Sequence, residues 1–411
     1  MTDKKNIKVN TIIFFKWIII AFAVGLVGGL AGSLFHLSID YVTELRWHNT
    51  WLVYLLPLGG LTIAAMYKFS NSVCDVDTNC VIEAVREDKK VPFKMAPLIF
   101  AATVLTHLFG GSAGREGAAL QLGGSIGYNI GRIFRLSKRE LHLVVIIGMS
   151  AVFAALFGTP VTAMFFSLEV TTVGVIYYSA LIPCFIAAFT GYKIASLFGI
   201  SPVHFDGVAF SEITFAFIGQ VAFLALLCAV IAMLFCFVLE KTEHFTQKLM
   251  PNVLIRGGVG GVIIVILTFA VRTYDYNGAG MDVITRAISG NAVPYAFLLK
   301  IIFTAITVAS GFKGGEIVPA FFIGSTFGCV IAPLLGLDAG MGAAIGFVCL
   351  FCGVVNCPVA SIMLALEVFG GNNLLIFAVA VVVSYVMSGR KGLYRSQKIS
   401  YSKIENKFIT E

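Results

Sequence analysis

Two glutamates stand in glycine-rich breaks of an otherwise apolar chain: Glu116 in Gly114-Arg115-Glu116-Gly117, and Glu316 in Gly314-Gly315-Glu316-Ile317. A carboxylate at membrane depth is costly and by default marks a functional position. A helix that starts at such a break presents unpaired backbone N–H groups and a partial positive charge, which hold an anion without a full cation. Glycine lets the backbone come close to that ion. A side-chain carboxylate at the same spot competes with the anion, and protonating it frees the spot. Glu116 is thereby predicted to gate anions and carry protons. Glu316 is read as a second carboxylate on the same pathway, or equally as a helix cap satisfied by local backbone. A third helix start is expected near Thr78-Asn79, after the polar turn at 75–77, because both residue types cap helices. Glycine breaks also permit tight helix crossings, a blander reading that fits one motif better than a repeated set.

The elements that must position these residues are membrane helices. Of 411 residues, 58% are hydrophobic and 12% charged, whereas a soluble domain is nearer half apolar and a quarter charged. Long apolar stretches occur at about 11–35, 51–67, 141–157, 176–198, 212–239, 255–271, 295–309, 340–356 and 373–388; crossing a bilayer takes roughly 17–25 residues. None alternates with the two-residue period of a barrel strand, and only helices and closed barrels satisfy their backbone in lipid. The expected fold class is all-α integral membrane. The first run is too long for a signal-peptide core, so it is expected to remain as a helix. The nine cysteines, Cys349 and Cys352 of a C-x-x-C included, read as buried packing residues. The net charge of +7 marks loops rather than a nucleic-acid partner. Basic clusters at Lys4, Lys5 and Lys8, at 86–94, 132–139 and 241–256, and beyond Arg390 are placed on the cytoplasmic side, which puts both termini there. The stretch 95–131 then begins and ends on one side, with GGSAGREG in its middle. Two partial helices that enter, break and return account for it, and irregular backbone at that depth survives only inside protein or along a wet cavity.

The chain also contains itself twice. Glu116 precedes Gly124-Ser125 by eight residues, and Glu316 precedes Gly324-Ser325 by eight. Gly148, Pro160 and Glu169 are spaced as Gly346, Pro358 and Glu367 are, and Val91-Pro92 matches Val293-Pro294. Basic clusters bracket the first copy, while Arg286 and Asp338 flank the second, so the copies are expected to be inverted, with the site between discontinuous helices at the midplane. One transmembrane unit is expected, with repeats at about 12–205 and 212–395 and a short cytoplasmic tail at 396–411. His107 is read as packed and hydrogen-bonded, and Glu169 and Glu367 as structural hydrogen-bonding groups. Arg115 either tunes the local field or faces the interior.

These motifs resemble the CLC family of halide transporters over about residues 12–400. GGSAGREGAALQLGGSIG is similar to its gating motif, GFKGGEIVPAFFIGSTFG to its second-repeat anion motif, and GRKGLY to its C-terminal tyrosine motif. The resemblance implies a homodimer with a pathway in each subunit, Glu116 as gate, and Tyr394 as central tyrosine. It implies anion-lining backbone at Thr78-Asn79, Gly117-Ala118 and Ile317-Val318, no cofactor, and no nucleotide-binding pair after the membrane part. Glu316 in the second motif, and the lack of a Gly-Ser-Gly-Ile-Pro stretch, resemble the bacterial fluoride/proton antiporter branch. That branch lacks an internal proton-transfer glutamate, and Val170 stands at the matching position. The chain departs from the branch at Thr78, where Asn or Met is usual, and at Val318, where Thr is usual. Fluoride export in exchange for protons across the bacterial plasma membrane is the expected function. A chloride/proton exchanger or a passive halide channel is the nearest rival. An intramembrane enzyme would need a nucleophile–base pair or metal-ligand spacing, which the sequence lacks.

Overall fold

The computed structural model describes residues 2–70, 77–205, 208, 213–371 and 373–409, with side chains from residue 11 onward; Lys4, Lys5 and Lys8 and most of the 75–77 turn lie outside that description. Sixteen α-helices are found among the described residues, and they fall into two sets of eight. The first is α1 (Thr2–His48), α2 (Leu56–Phe69), α3 (Thr78–Ala84), α4 (Met95–Leu108), α5 (Glu116–Ile133), α6 (Lys138–Phe157), α7 (Pro160–Glu169) and α8 (Leu181–Leu197). The second is α9 (Phe215–Leu249), α10 (Val253–Val271), α11 (Met281–Ile288), α12 (Ala296–Ala309), α13 (Ile317–Ile331), α14 (Ala339–Val355), α15 (Pro358–Phe369) and α16 (Leu374–Met387). Among the described residues, seven helical segments are long and apolar enough to cross a membrane.

Local chemistry sets the boundaries. Ser137 and Glu140 form a capping box at the start of α6, and Asp338 accepts from Met341 N (2.9 Å) at the start of its counterpart α14. Pro160 and Pro358 open α7 and α15, where a missing N–H costs nothing. The predicted 51–67 helix instead begins as a 3₁₀ turn, Thr50–Leu55, and becomes α-helical at Leu56 beside Pro57. The first helix runs well beyond the expected 35, to His48, since neither proline nor a turn sequence interrupts it.

The two halves are inverted, and two carboxylates show it. Glu169 at the end of α7 accepts from Val359 N (3.2 Å) and Ala360 N (2.8 Å) at the start of α15. Glu367 near the end of α15 accepts from Val161 N (3.0 Å), Thr162 N (2.8 Å) and Thr162 Oγ1 (2.6 Å) at the start of α7. Helices joined tail to head at both ends run antiparallel. Each glutamate feeds orphan N–H groups of its counterpart helix, as the sequence reading anticipated. The basic clusters share a face: Lys138 pairs with Asp88 (2.7 Å), Lys391 pairs with Glu240 (2.7 Å), and Ser396 beyond Arg390 donates to Glu83 just before the 86–94 cluster.

Helices cross at glycines. A Cβ on Gly148 would lie 2.1 Å from the Gly123 carbonyl oxygen, and one on Gly346 would lie 2.0 Å from that of Gly324. The α5–α6 and α13–α14 crossings are therefore the same contact made twice. The eight described cysteines are buried and free of disulfides.

Gly346→Val should lower the melting temperature of detergent-solubilised protein by the equivalent of about 1–3 kcal/mol of overpacking. Gly219→Ala, at an exposed position in α9 with open space around it, should raise it slightly, since Ala is favoured over Gly in a helix by about 1 kcal/mol. Thermal unfolding followed by size-exclusion fluorescence compares the two.

Candidate functional site

The breaks before α5 and α13 meet at their backbones. Gly114 N donates to Gly315 O (2.6 Å), and Gly315 N donates to Gly114 O (2.8 Å). The preceding loops are tied crosswise: Ser112 N donates to Thr307 Oγ1 (3.1 Å), and Lys313 N to Thr106 Oγ1 (3.3 Å). Gly110 (φ +82) and Gly311 (φ +92) take the left-handed turn at matching points, a conformation that favours glycine. A Cβ on Gly315 would sit 2.6 Å from Glu116 Oε2 and 2.7 Å from the Glu116 and Gly117 nitrogens. Only glycine fits there.

Glu116 is fully buried. Its Oε1 accepts from Arg115 N (3.1 Å) and its Oε2 from Val318 N (3.2 Å) in the first turn of α13. The carboxylate thus lies between two helix starts, on N–H groups that an anion would use.

The reciprocal bonds also correct the repeat register. Gly114 and Gly315 bond reciprocally 201 positions apart, and the same offset turns the Ser112–Thr307 bond into the Lys313–Thr106 bond, making 112 equivalent to 313 and 106 to 307. The sequence spacing had paired Glu116 with Glu316, 200 apart. Structurally Glu316 is the counterpart of Arg115: each is the N-cap residue of its helix, whereas Glu116 lies one residue further in. One residue turns a side chain by about 100° around a helix of 3.6 residues per turn, so the two carboxylates face different spaces. Nor does Glu316 cap α13 with its side chain.

Three helix starts converge here. Gly117 and Ala118 are buried in the first turn of α5, and Ile317 and Val318 in that of α13. Thr78 Oγ1 donates to Gly117 O (3.4 Å) and accepts from Gln121 Nε2 (3.0 Å), which brings the start of α3 against α5. The cap of α3 is Asp77, whose Oδ1 accepts from Cys80 N (2.9 Å), rather than Thr78 or Asn79. Asn79 instead donates to Asp77 Oδ2 (3.0 Å) and accepts from Ser396 N (3.0 Å).

Two sets of cavities flank Glu116. On the basic face, a cavity of about 280 Å³ is lined by Thr78, Asn79, Gln121, Lys313, Glu316 and Tyr394 among others, and Glu316 and Tyr394 also line a neighbouring one of about 300 Å³. Tyr394 is buried and its hydroxyl has no hydrogen-bond partner. On the opposite face, a cavity of about 180 Å³ is lined by Arg46, His107, Arg115 and Val318 among others. Arg115 pairs with Asp40 (3.2 Å) and lies over the Phe157 ring. His107 is buried, with Nδ1 on Thr103 O (2.9 Å) and Nε2 unpartnered.

A strap after α16 carries Tyr394. Leu393 N donates to Val354 O (2.8 Å), and Gln397 Nε2 donates to Val355 O (2.7 Å) and Val170 O (3.1 Å) while its Oε1 accepts from Asn356 Nδ2 (3.0 Å). The strap then pairs as β2 (Lys398–Ile399) with β1 (Thr172–Val173). The sequence reading reached Tyr394 through GRKGLY but not the bonds that hold the strap. Arg46 and Lys300 also escape the sequence reading, although a cation in an apolar helix is itself a signal. Lys300 is buried and donates to Gly278 O (2.7 Å) and Tyr276 O (3.2 Å), and Arg46 donates to His107 O.

Comparison with known proteins agrees with this architecture. The family model described as voltage gated chloride channel matches residues 76–389. A chloride/fluoride channel protein of Pseudomonas syringae pv. tomato is 34% identical over 395 residues, covering 94% of this chain and 87% of that protein. The crystal structure of a CLC-type fluoride/proton antiporter superposes with a TM-score of 0.90 at 31% identity, over 94% of this chain and 98% of the other. A slow cyanobacterial Cl⁻/H⁺ antiporter shares the fold, with a TM-score of 0.80 at 20% identity over 92% and 96% of the two chains.

Gln397→Ala removes three hydrogen bonds to buried groups, and each partner left without another costs about 1–3 kcal/mol. It should loosen the strap, so that trypsin cuts after Arg395 and Lys398 markedly faster than in the wild-type protein, as gel electrophoresis of a timed digest would read. Asn79→Ala removes one bond to the strap, beside the basic-face cavity, and should accelerate cleavage less.

Proposed function

Since the chain belongs to the voltage gated chloride channel family, we propose that it moves halide across the membrane in exchange for protons, with fluoride exported and Glu116 as the gate. The observation that carries this reading is the Glu116 carboxylate on the Val318 N–H at the start of α13. It stands where a halide would accept the same bond. Protonation removes its charge, the side chain leaves, and the helix starts hold the anion instead. Glu116 lies between the cavities of the two faces, so its movement opens one side while the neighbouring amides receive the ion.

Glu316 and Tyr394 would serve the basic-face end of the path. Glu316 is a carboxylate within electrostatic reach of Glu116 that lines both basic-face cavities, which suits a station for protons. The free Tyr394 hydroxyl suits an anion contact, as do the backbones at Thr78-Asn79, Gly117-Ala118 and Ile317-Val318. The basic face would be cytoplasmic, with both termini there, a plasma-membrane location, and a homodimer of independent pathways in lipid. The repeats would span about 12–205 and 212–395, followed by the tail at 396–411. The 34% identical relative is named for both chloride and fluoride, and the structure superposing at 0.90 is a fluoride/proton antiporter; both favour fluoride.

In liposomes carrying the purified protein, fluoride efflux should exceed chloride efflux and drive protons inward against their gradient. Glu116→Gln should abolish the proton movement. Equal or faster chloride movement would place the protein with chloride exchangers, halide flux without protons in the wild type would make it a channel, and no halide flux would end the reading of Glu116 as a gate.

A further inference from the structure

Lys313 lies four residues before α13, and its backbone is pinned to the first repeat by the bond to Thr106 Oγ1. Its side chain reaches α2, where the ammonium sits 4.5 Å from the centroid of the Tyr67 ring. Such a contact favours a cation without neutralising it. Among the described residues the ammonium makes no ion pair or hydrogen bond, although it lines the cavity that also holds Thr78, Gln121, Glu316 and Tyr394. Its structural counterpart in the first repeat is Ser112, buried and uncharged. The cation therefore belongs to one end of the pathway only.

The charged groups of that cavity come from every element around it. Among the described residues they are Asp77 before α3, Glu243 on α9, Arg256 on α10, Lys313 and Glu316 before α13, and Arg395 on the strap. Three are cations and three are carboxylates. Two carboxylates are engaged, Asp77 with Cys80 N and Asn79, and Glu243 with Arg395. Glu316 has no ion-pair partner among the described residues, and neither have Lys313 and Arg256. The formal sum is zero with Glu316 charged and one positive with it protonated.

Resting on the halide-transport reading above, we infer that Lys313 is the docking residue for the anion at the basic-face entrance, holding it beside Thr78 and Glu316 before it reaches the three helix starts. Fixed charge in a low-dielectric cleft concentrates its counter-ion. With Glu316 protonated the cavity gains net positive charge, so loading an anion and loading a proton assist each other. With Glu316 charged, the carboxylate offsets Lys313 and the anion is held less well. Tyr67 keeps the ammonium in place without supplying the negative charge that would quench it.

The test is initial fluoride efflux from liposomes as a function of internal fluoride, for wild type, Lys313→Met and Lys313→Arg. Lys313→Met should raise the half-saturating concentration about five- to tenfold, within the range of electrostatic focusing, with maximal rate changed far less. Lys313→Arg should restore it to near the wild-type value. An inert salt of large impermeant ions should raise half-saturation in the wild type and shift Lys313→Met markedly less, because the variant lacks the unpaired cation on which screening chiefly acts. The salt arm needs no variant, so it still decides if Lys313→Met fails to fold. Unchanged half-saturation in Lys313→Met, equal shifts in the Met and Arg variants, or a salt-insensitive wild type would overturn the inference while leaving halide transport intact. A wild type that moves no halide would instead overturn the transport reading itself.

Discussion

Two helix N-termini pointing at one another are the constraint on which this structure depends. Each carries a partial positive charge and unpaired N–H groups, and bringing α5 and α13 together concentrates both. Backbone bonds between Gly114 and Gly315 hold the breaks together, but they do nothing about the like-signed dipole ends. A negative charge between them does. The Glu116 carboxylate supplies it in the described state, bonded to Arg115 N and Val318 N. An anion would supply it once Glu116 is protonated, so gating and binding are two solutions to one electrostatic demand.

Much of the remaining fold keeps those starts in place. The Gly123–Gly148 and Gly324–Gly346 contacts bring helices to backbone distance behind each broken helix, where lipid supplies no hydrophobic force to do so. Glu169 and Glu367 lock the inverted halves by capping each other's helices. These carboxylates serve the backbone, while Glu116 and Glu316 are the ones proposed for the pathway, and the difference lies in what surrounds them. Helices α7 and α15 bury the first pair against N–H groups that have no other partner. Glu316 lines the two basic-face cavities and accepts no hydrogen bond from a counterpart helix among the described residues.

The symmetry of the fold is broken where function would need it broken. Equivalent backbone carries Ser112 on one side and Lys313 on the other, and Arg115 on one side and Glu316 on the other. Arg115 is committed to Asp40 on the face opposite the basic clusters, whereas Glu316 and Lys313 share the basic-face cavity. An inverted repeat with identical side chains would present identical ends. Here the ends differ in charge, and transport with a direction of coupling requires two distinguishable ends.

The sequence by itself determined the class of structure and the address of the site. Apolar runs, glycine breaks and two copies of one motif are local properties, and helices, re-entrant breaks and an inverted pair follow from them because lipid leaves the backbone no alternative. Helix boundaries were legible within a few residues wherever proline or a capping side chain set them, as at Pro160, Pro358 and Asp338. Tertiary structure decided what depends on distance between segments remote in sequence. Counting residues paired Glu116 with Glu316, but the hydrogen bonds across the break shift the register by one, leaving Glu116 buried on the helix starts while Glu316 lines the basic-face cavities. Asn79 looked like a cap and instead holds the strap that carries Tyr394. Lys313 drew no reading from the sequence, yet it lines the basic-face cavity over Tyr67, because only the folded chain brings α2 beside the start of α13.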